Sequence, residues 1–167
     1  GILLGCAPFS AFATIERTSG PAEGLLAGAL IAAVLLIRDL MARGRGPKVL
    51  DIGTTILFGA LSIYTPVTHA KWSPLGVRLS VDVGLLLIAL VSMAIGRPFS
   101  QQYARPSPDH GHSRAFLRTN YVITGAWAVA FLALAAADLI MIYLPDVPQQ
   151  VGIGMTALAL IAACKFT

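Results

Sequence analysis

The chain has 167 residues, of which 56% are hydrophobic and only 12% charged, with a formal net charge of +4. Water-soluble domains ordinarily carry about 25% charged residues, so this balance argues against one, and the small basic excess reads as membrane topology rather than as nucleic-acid binding. Cys6 and Cys164 lie in apolar stretches at opposite ends and signal neither a disulfide framework nor a metal site; they read as lipid-facing or packed thiols.

In chain order, Leu25 to Ile37, Ile52 to Tyr64, Leu75 to Ile95, Tyr121 to Leu144 and Val151 to Cys164 are almost free of charge. With their flanks, runs of this length match a hydrocarbon core about 30 Å thick. No water reaches backbone groups at that depth, so the runs should be helices. A first segment, Gly1 to Ile15, is short for a span, is interrupted by Pro8 and closes in the turn-like cluster Glu16, Arg17, Ser19, Gly20 and Pro21. It lacks the basic start and cleavage site of a signal peptide. The predicted helices are Ala22 to Met41, Val49 to Val67, Leu75 to Ile95, Ala115 to Leu144 and Val147 to Phe166. At 1.5 Å per residue the fourth of these is about 45 Å long, so its start should project beyond the bilayer or lie in the interface. The expected fold is an all-α polytopic transmembrane bundle. It has five spans and a short sixth segment, in one integral membrane domain over residues 1–167 that contains a basic link at 97–118.

Counting Lys and Arg in alternate links gives the orientation. Arg38, Arg43, Arg45, Lys48, Arg97, Arg105, Arg114, Arg118 and Lys165 fall on one side and Arg17, Lys71 and Arg78 on the other, nine against three. The richer side is cytoplasmic by the positive-inside rule, which puts the C-terminus inside. The N-terminus is inside if the first segment spans and outside if it is re-entrant. Tyr64, Trp72, Tyr121 and Tyr143 fall near predicted interfaces, as amphipathic rings should.

Small residues recur at spacing four as Gly24-x-x-x-Gly28 with Ala32 beyond, Ser80-x-x-x-Gly84, Ala126/Ala130 and Ala133/Ala137. Such ridges let helix backbones approach closely, here within the monomer or, alternatively, across a homodimer face. Ionisable residues inside the apolar runs are rarer. Arg78 and Asp82 share a helix face, Asp138 lies near the outer end of its helix, and all three fall in the outer leaflet. An unpaired carboxylate there costs a few kcal/mol, so the three should face protein or water and can meet. They would form either a structural polar network or a proton, ion or substrate site.

Asp51 opens a helix, where its charge favours the positive N-terminal end, and Asn120 can bond across helices. Asp109-His110-Gly111-His112 resembles a fragment of a metal site but lies in a Pro-rich loop without a clear further ligand, and reads as a solvated loop. His69 falls in an outer link and reads as interfacial. Phosphate-loop, zinc-protease and nucleophile-elbow patterns are all missing, so neither catalytic residues nor a cofactor are expected. The inner link carries Arg97, Arg105, Arg114 and Arg118, with Pro98 to turn the chain and Gln101, Gln102 and Tyr103 to offer directional hydrogen bonds. It can attract anionic headgroups or dock a partner protein.

Order and punctuation along most of the chain resemble a bacterial family of small inner-membrane proteins, intracellular septation protein A. The basic link Arg43 to Lys48 is followed by a helix with Leu57-Phe58-Gly59-Ala60-Leu61-Ser62, an outer turn with His69 and Lys71-Trp72, and a further helix. That helix ends in Arg97-Pro98-Phe99-Ser100-Gln101, similar to the family's basic-Pro-apolar-x-Gln pattern. Asn120 and Ala126-Trp127-Ala128-Val129-Ala130-Phe131 resemble the family's Asn followed by Ala-Trp-Ala and an aromatic. The chain departs at Ser107 to Ser113, where the family carries a tryptophan-bearing stretch, which suits a divergent branch. The resemblance implies a non-enzymatic role in envelope maintenance and septation through other inner-membrane proteins. The residues alone leave open a small transporter or channel around Arg78, Asp82 and Asp138, and an accessory subunit of a larger membrane complex. Expected partners are membrane lipids and other inner-membrane proteins, with a homo-oligomer possible and no nucleic acid.

Overall fold

The computed structural model describes residues 7–41, 48–67, 73–103, 114–144, 146 and 148–167, and every regular element among them is a helix. In chain order these are α1 (Ala7–Thr18), α2 (Pro21–Met41), α3 (Val49–Val67), α4 (Pro74–Ala94), α5 (Phe99–Tyr103), α6 (Arg114–Tyr143) and α7 (Gln149–Phe166). Cys6, Arg43, Arg45, His69, Lys71, Trp72, Arg105, Asp109, His110 and His112 lie outside the described residues.

Among the described residues α2, α4 and α6 are long and apolar enough to cross a membrane, whereas the apolar stretches of α3 and α7, Val49–Tyr64 and Gln150–Phe166, are shorter. Three helices thus meet the length expected of all five spans. In α1 the described helix has 12 residues, about 18 Å, well below the thickness of the hydrocarbon core. It runs on through Glu16 and Arg17, so the expected turn contracts to Ser19 and Gly20. Pro8 stands in the first turn of the described helix, and the residues before Ala7, on which its expected interruption of the first segment depends, lie outside the described ones.

The helix ends follow local chemistry. Pro21 and Pro74 each open a helix with φ already set, and Ser73 Oγ accepts the Gly76 N–H at 3.2 Å as an N-cap. Helix α4 stops in a Schellman turn: the Arg97 N–H bonds Ser92 O and the Gly96 N–H bonds Met93 O, both at 3.0 Å. Gly96 takes φ 78° there, a left-handed value a side chain would resist. Pro98 follows and α5 begins immediately after it, a short helix the apolar pattern does not reveal.

The chain falls into two compact units, residues 1–77 and 78–167. In the first, α2 packs against both α1 and α3. Phe12, Leu25, Ala32 and Phe58 form its core, with the rings of Phe12 and Phe58 5.7 Å apart. The predicted ridge works within the monomer. A Cβ on Gly24 would lie 3.0 Å from the Glu16 backbone nitrogen, and one on Gly28 would lie 2.8 Å from the Phe58 ring. The opposite face of α2 turns Leu26, Leu30, Val34, Ile37 and Met41 outward. Leu30 and Val34 are 67% and 63% exposed. Small residues inside and large apolar ones outside invert the pattern of a water-soluble helix, and suit contact with hydrocarbon.

In the second unit Val81, Leu85 and Ala89 of α4 and Trp127, Phe131 and Leu134 of α6 are buried, and α7 packs on α6. The contact is close where Gly152 meets Met141, and the Trp127 Nε1–H donates to Thr167 Oγ1 at 2.9 Å. Ser80 and Gly84 are half-buried on α4; on α6 Ala130 and Ala137 are buried, Ala126 and Ala133 half-buried.

Candidate functional site

Arg78, Asp82 and Asp138 come together in the second unit. Arg78 and Asp82 stand one turn apart on α4, and Asp138 stands on α6 shortly before its end at Tyr143. The Asp138 carboxyl lies within hydrogen-bond reach of the Asp82 carboxyl and within electrostatic reach of the Arg78 guanidinium. Asp82 and Asp138 are 5% and 2% exposed, and Arg78 is half-buried. Among the described residues no donor reaches Asp138 Oδ2. The sequence requires that these groups face protein or water, because charge in hydrocarbon is costly. That they face each other is a tertiary result.

At the far end of the same two helices a polar network holds the start of the basic link. Ser100 Oγ donates to Asn120 O at 2.9 Å or to Asn120 Oδ1 at 3.1 Å, and lies 3.0 Å from Thr124 Oγ1. The Asn120 Nδ2–H bonds Phe116 O at 2.8 Å, and Ser92 Oγ accepts the Phe99 N–H at 3.2 Å. Ser92, Ser100, Asn120 and Thr124 are all buried, and Tyr121 OH reaches across to Met93 O at 2.9 Å. Asn120 therefore bonds across elements as expected. Within the expected docking segment, Pro98 is buried together with Phe99 and Ser100, Arg97 is exposed, and Gln101, Gln102 and Tyr103 are half-buried. Arg114 and Arg118 are exposed. The segment is thus clamped to α6 by its middle while its basic end and its Gln-Gln-Tyr face remain at the surface.

A third cluster, centred on Asp39, has no counterpart in the motif reading. In the first unit Lys48 Nζ contacts Asp39 Oδ2 at 2.5 Å and Asp51 Oδ2 at 3.7 Å, and Arg38 Nη2 contacts Asp39 Oδ1 at 3.0 Å. Asp39 and Asp51 are buried, Lys48 is 17% exposed, and Arg38 is 48% exposed. Lys48 thereby ties the end of α2 to the start of α3. Asp51 does stand in the first turn of α3, as expected. The available signal for Asp39 was an acid inside a cationic helix end, which simple counting of Lys and Arg passes over.

Among the described residues no group of three or more His, Cys, Asp or Glu side chains is arranged to hold a metal. Cys164 is a free, exposed thiol. No family model, curated protein or solved structure matches the chain.

Proposed function

We propose that this chain is a non-enzymatic, multi-pass protein of a bacterial cytoplasmic membrane, with a part in envelope maintenance or septation carried out through contacts with other membrane proteins. The observation that carries this reading is the bonding of Ser100, inside Arg97-Pro98-Phe99-Ser100-Gln101, to Asn120. Ser100 stands at the variable position of the basic-Pro-apolar-x-Gln stretch and Asn120 opens the later one, so their contact joins the two stretches of the resemblance. The reading takes α3 and α7 as crossing alongside α2, α4 and α6, with the C-terminus and the 97–118 link on the cytoplasmic side. Arg97, which is exposed, the half-buried Gln101, Gln102 and Tyr103, and Arg105, which follows them in the sequence, are its docking element for partner or lipid.

Deletion of the gene in its host tests the reading through division and envelope integrity, with restoration by the intact chain. Unaltered division and envelope integrity would reject it. Gln101→Ala with Tyr103→Ala, every arginine retained, should abolish restoration without loss of membrane insertion. Headgroup attraction alone gives about 1 kcal/mol per basic residue and hardly senses these two side chains, so full restoration would leave only lipid anchoring. Topology is tested separately in a cysteine-free background. A cysteine at Gln101 should label only after permeabilisation and one at Ser73 in intact cells; labelling of the first from outside would reverse the orientation.

A small transporter or channel is the second reading, favoured by the meeting of Arg78, Asp82 and Asp138 between two apolar helices. Under it, Asp82→Asn should abolish transport while leaving the fold intact.

A further inference from the structure

The outward face of α6 changes character along its length. Arg114, Arg118, Val122, Gly125, Val129 and Leu132 recur at intervals of three and four, so they form one stripe along the helix. The two arginines are exposed, and Val122, Val129 and Leu132 are 51%, 67% and 55% exposed. On the opposite side Asn120, Trp127, Leu134 and Asp138 are buried. The stripe therefore faces away from the interior of the second unit. Gly125 leaves a notch in it, because a Cβ there would meet nothing within 4 Å. Length fixes the depth of each part. The 30 residues of α6 span about 45 Å, which matches a bilayer of about 40–45 Å with its headgroup layers rather than the hydrocarbon core alone. With Tyr143 at one surface, the first turns of α6 stand at headgroup level and Val122 to Leu132 run through hydrocarbon.

A molecule that fits this stripe carries an anion at one end and an apolar tail beneath it, which is the chemistry of an anionic phospholipid. Arg114 and Arg118 stand one turn apart on one face, and their planar forks suit paired hydrogen bonds to phosphate oxygens. The charge of the link agrees. Residues 97–118 hold four Arg and one Asp, so the link is net positive wherever it runs. A water-soluble protein partner could meet the arginines but could not follow the stripe below the headgroups. We infer that Arg114 and Arg118, with the notch at Gly125 between Val122 and Val129, bind one anionic phospholipid, its phosphate held by the two guanidinium groups and an acyl chain lying over Gly125. The site uses neither Gln101 nor Tyr103. It rests on the membrane reading of α6 and not on the part in septation.

The full chain, placed in vesicles of equal phosphatidylglycerol and phosphatidylcholine and extracted in mild detergent, tests this through the lipids that native mass spectrometry finds still bound. The wild type should retain phosphatidylglycerol over phosphatidylcholine by about thirtyfold, the ratio that two basic residues beside an anionic headgroup supply. Arg114→Gln with Arg118→Gln should bring that ratio near one without loss of helix signal, because both side chains are exposed. Gly125→Leu keeps every charge and has room for its side chain, yet should lose most of the bound phosphatidylglycerol because the place of the acyl chain is filled. Lys165→Gln removes an exposed basic residue elsewhere and should leave binding unchanged. Equal retention of the two lipids by the wild type overturns the inference and leaves the arginines to a protein partner. A preference that survives in the double arginine variant, or full binding by Gly125→Leu, also overturns it. So does a Lys165→Gln effect as large as that of one arginine, which would mean diffuse attraction in place of a site. If the arginine variant fails to fold, Gly125→Leu and the wild-type ratio still decide. Retention of neither lipid would sink the membrane reading along with the site, whereas equal retention sinks the site alone.

Discussion

Replacing Lys48 by methionine should destabilise the first unit by roughly 3 kcal/mol, the range measured when one partner of a buried ion pair is removed. Methionine keeps much of the aliphatic stem, so the loss isolates the charge. Asp39 and Asp51 are both buried, and Lys48 contacts both, at 2.5 and 3.7 Å. Without it, the one cation left to Asp39 among the described residues is Arg38, which is 48% exposed and correspondingly weak as a counter-charge. Adding Asp39→Asn to Lys48→Met neutralises the carboxylate that Lys48 contacts more closely, though not Asp51, and should recover part of the loss. Unfolding of the single and double variants in mixed micelles, followed by loss of helix signal, measures both steps. A Lys48→Met effect below about 0.5 kcal/mol would mean that these charges behave as a solvated surface pair and do not tie α2 to α3.

Gly28→Ala is the second large effect, with an expected loss of about 1–3 kcal/mol from overpacking. The added Cβ would stand 2.8 and 2.9 Å from Phe58 Cδ1 and Cε1. That ring is fully buried and rests on Phe12, so it has nowhere to turn. Gly152→Ala is the control. Its Cβ would meet the thioether end of Met141, a flexible group that can swing aside, and its cost should be much smaller. Phe58→Leu removes the ring edge and should relieve Gly28→Ala. The same unfolding assay reads the series. If Gly28→Ala is silent, or if Phe58→Leu does not couple to it, the close approach of α2 and α3 at this point is not real.

The ridge shows how far the sequence reaches. Gly24 and Gly28 announce close helix approach because a missing side chain has no other use at that spacing in an apolar helix. Their neighbours could not be read in the same way. Gly24 receives the α1 backbone at Glu16 and Gly28 receives a ring of α3, so one ridge serves two different helices of the same unit. The short helix α5 lay beyond sequence reading for a related reason. Five residues have no period to detect, and this turn exists because Gly96 reverses the chain and Ser100 finds Asn120.

What the sequence alone determined were the long helices, their punctuation by Pro, Gly and Ser, and the demand that Arg78, Asp82 and Asp138 avoid hydrocarbon. Each follows from a one-dimensional quantity: a run length set against bilayer thickness, a residue whose φ is fixed or free, or a charge whose transfer into hydrocarbon is costly. Only the tertiary structure decided which buried groups meet. Asp138 could have been satisfied by any donor on a facing helix, and nothing in its spacing from Asp82 selects that partner. Asp39 reads as one more charge at a helix end until the start of α3 brings Lys48 to it. Pairing across elements depends on how helices are rotated about their axes and set in register, and neither is encoded in the local pattern of a single helix.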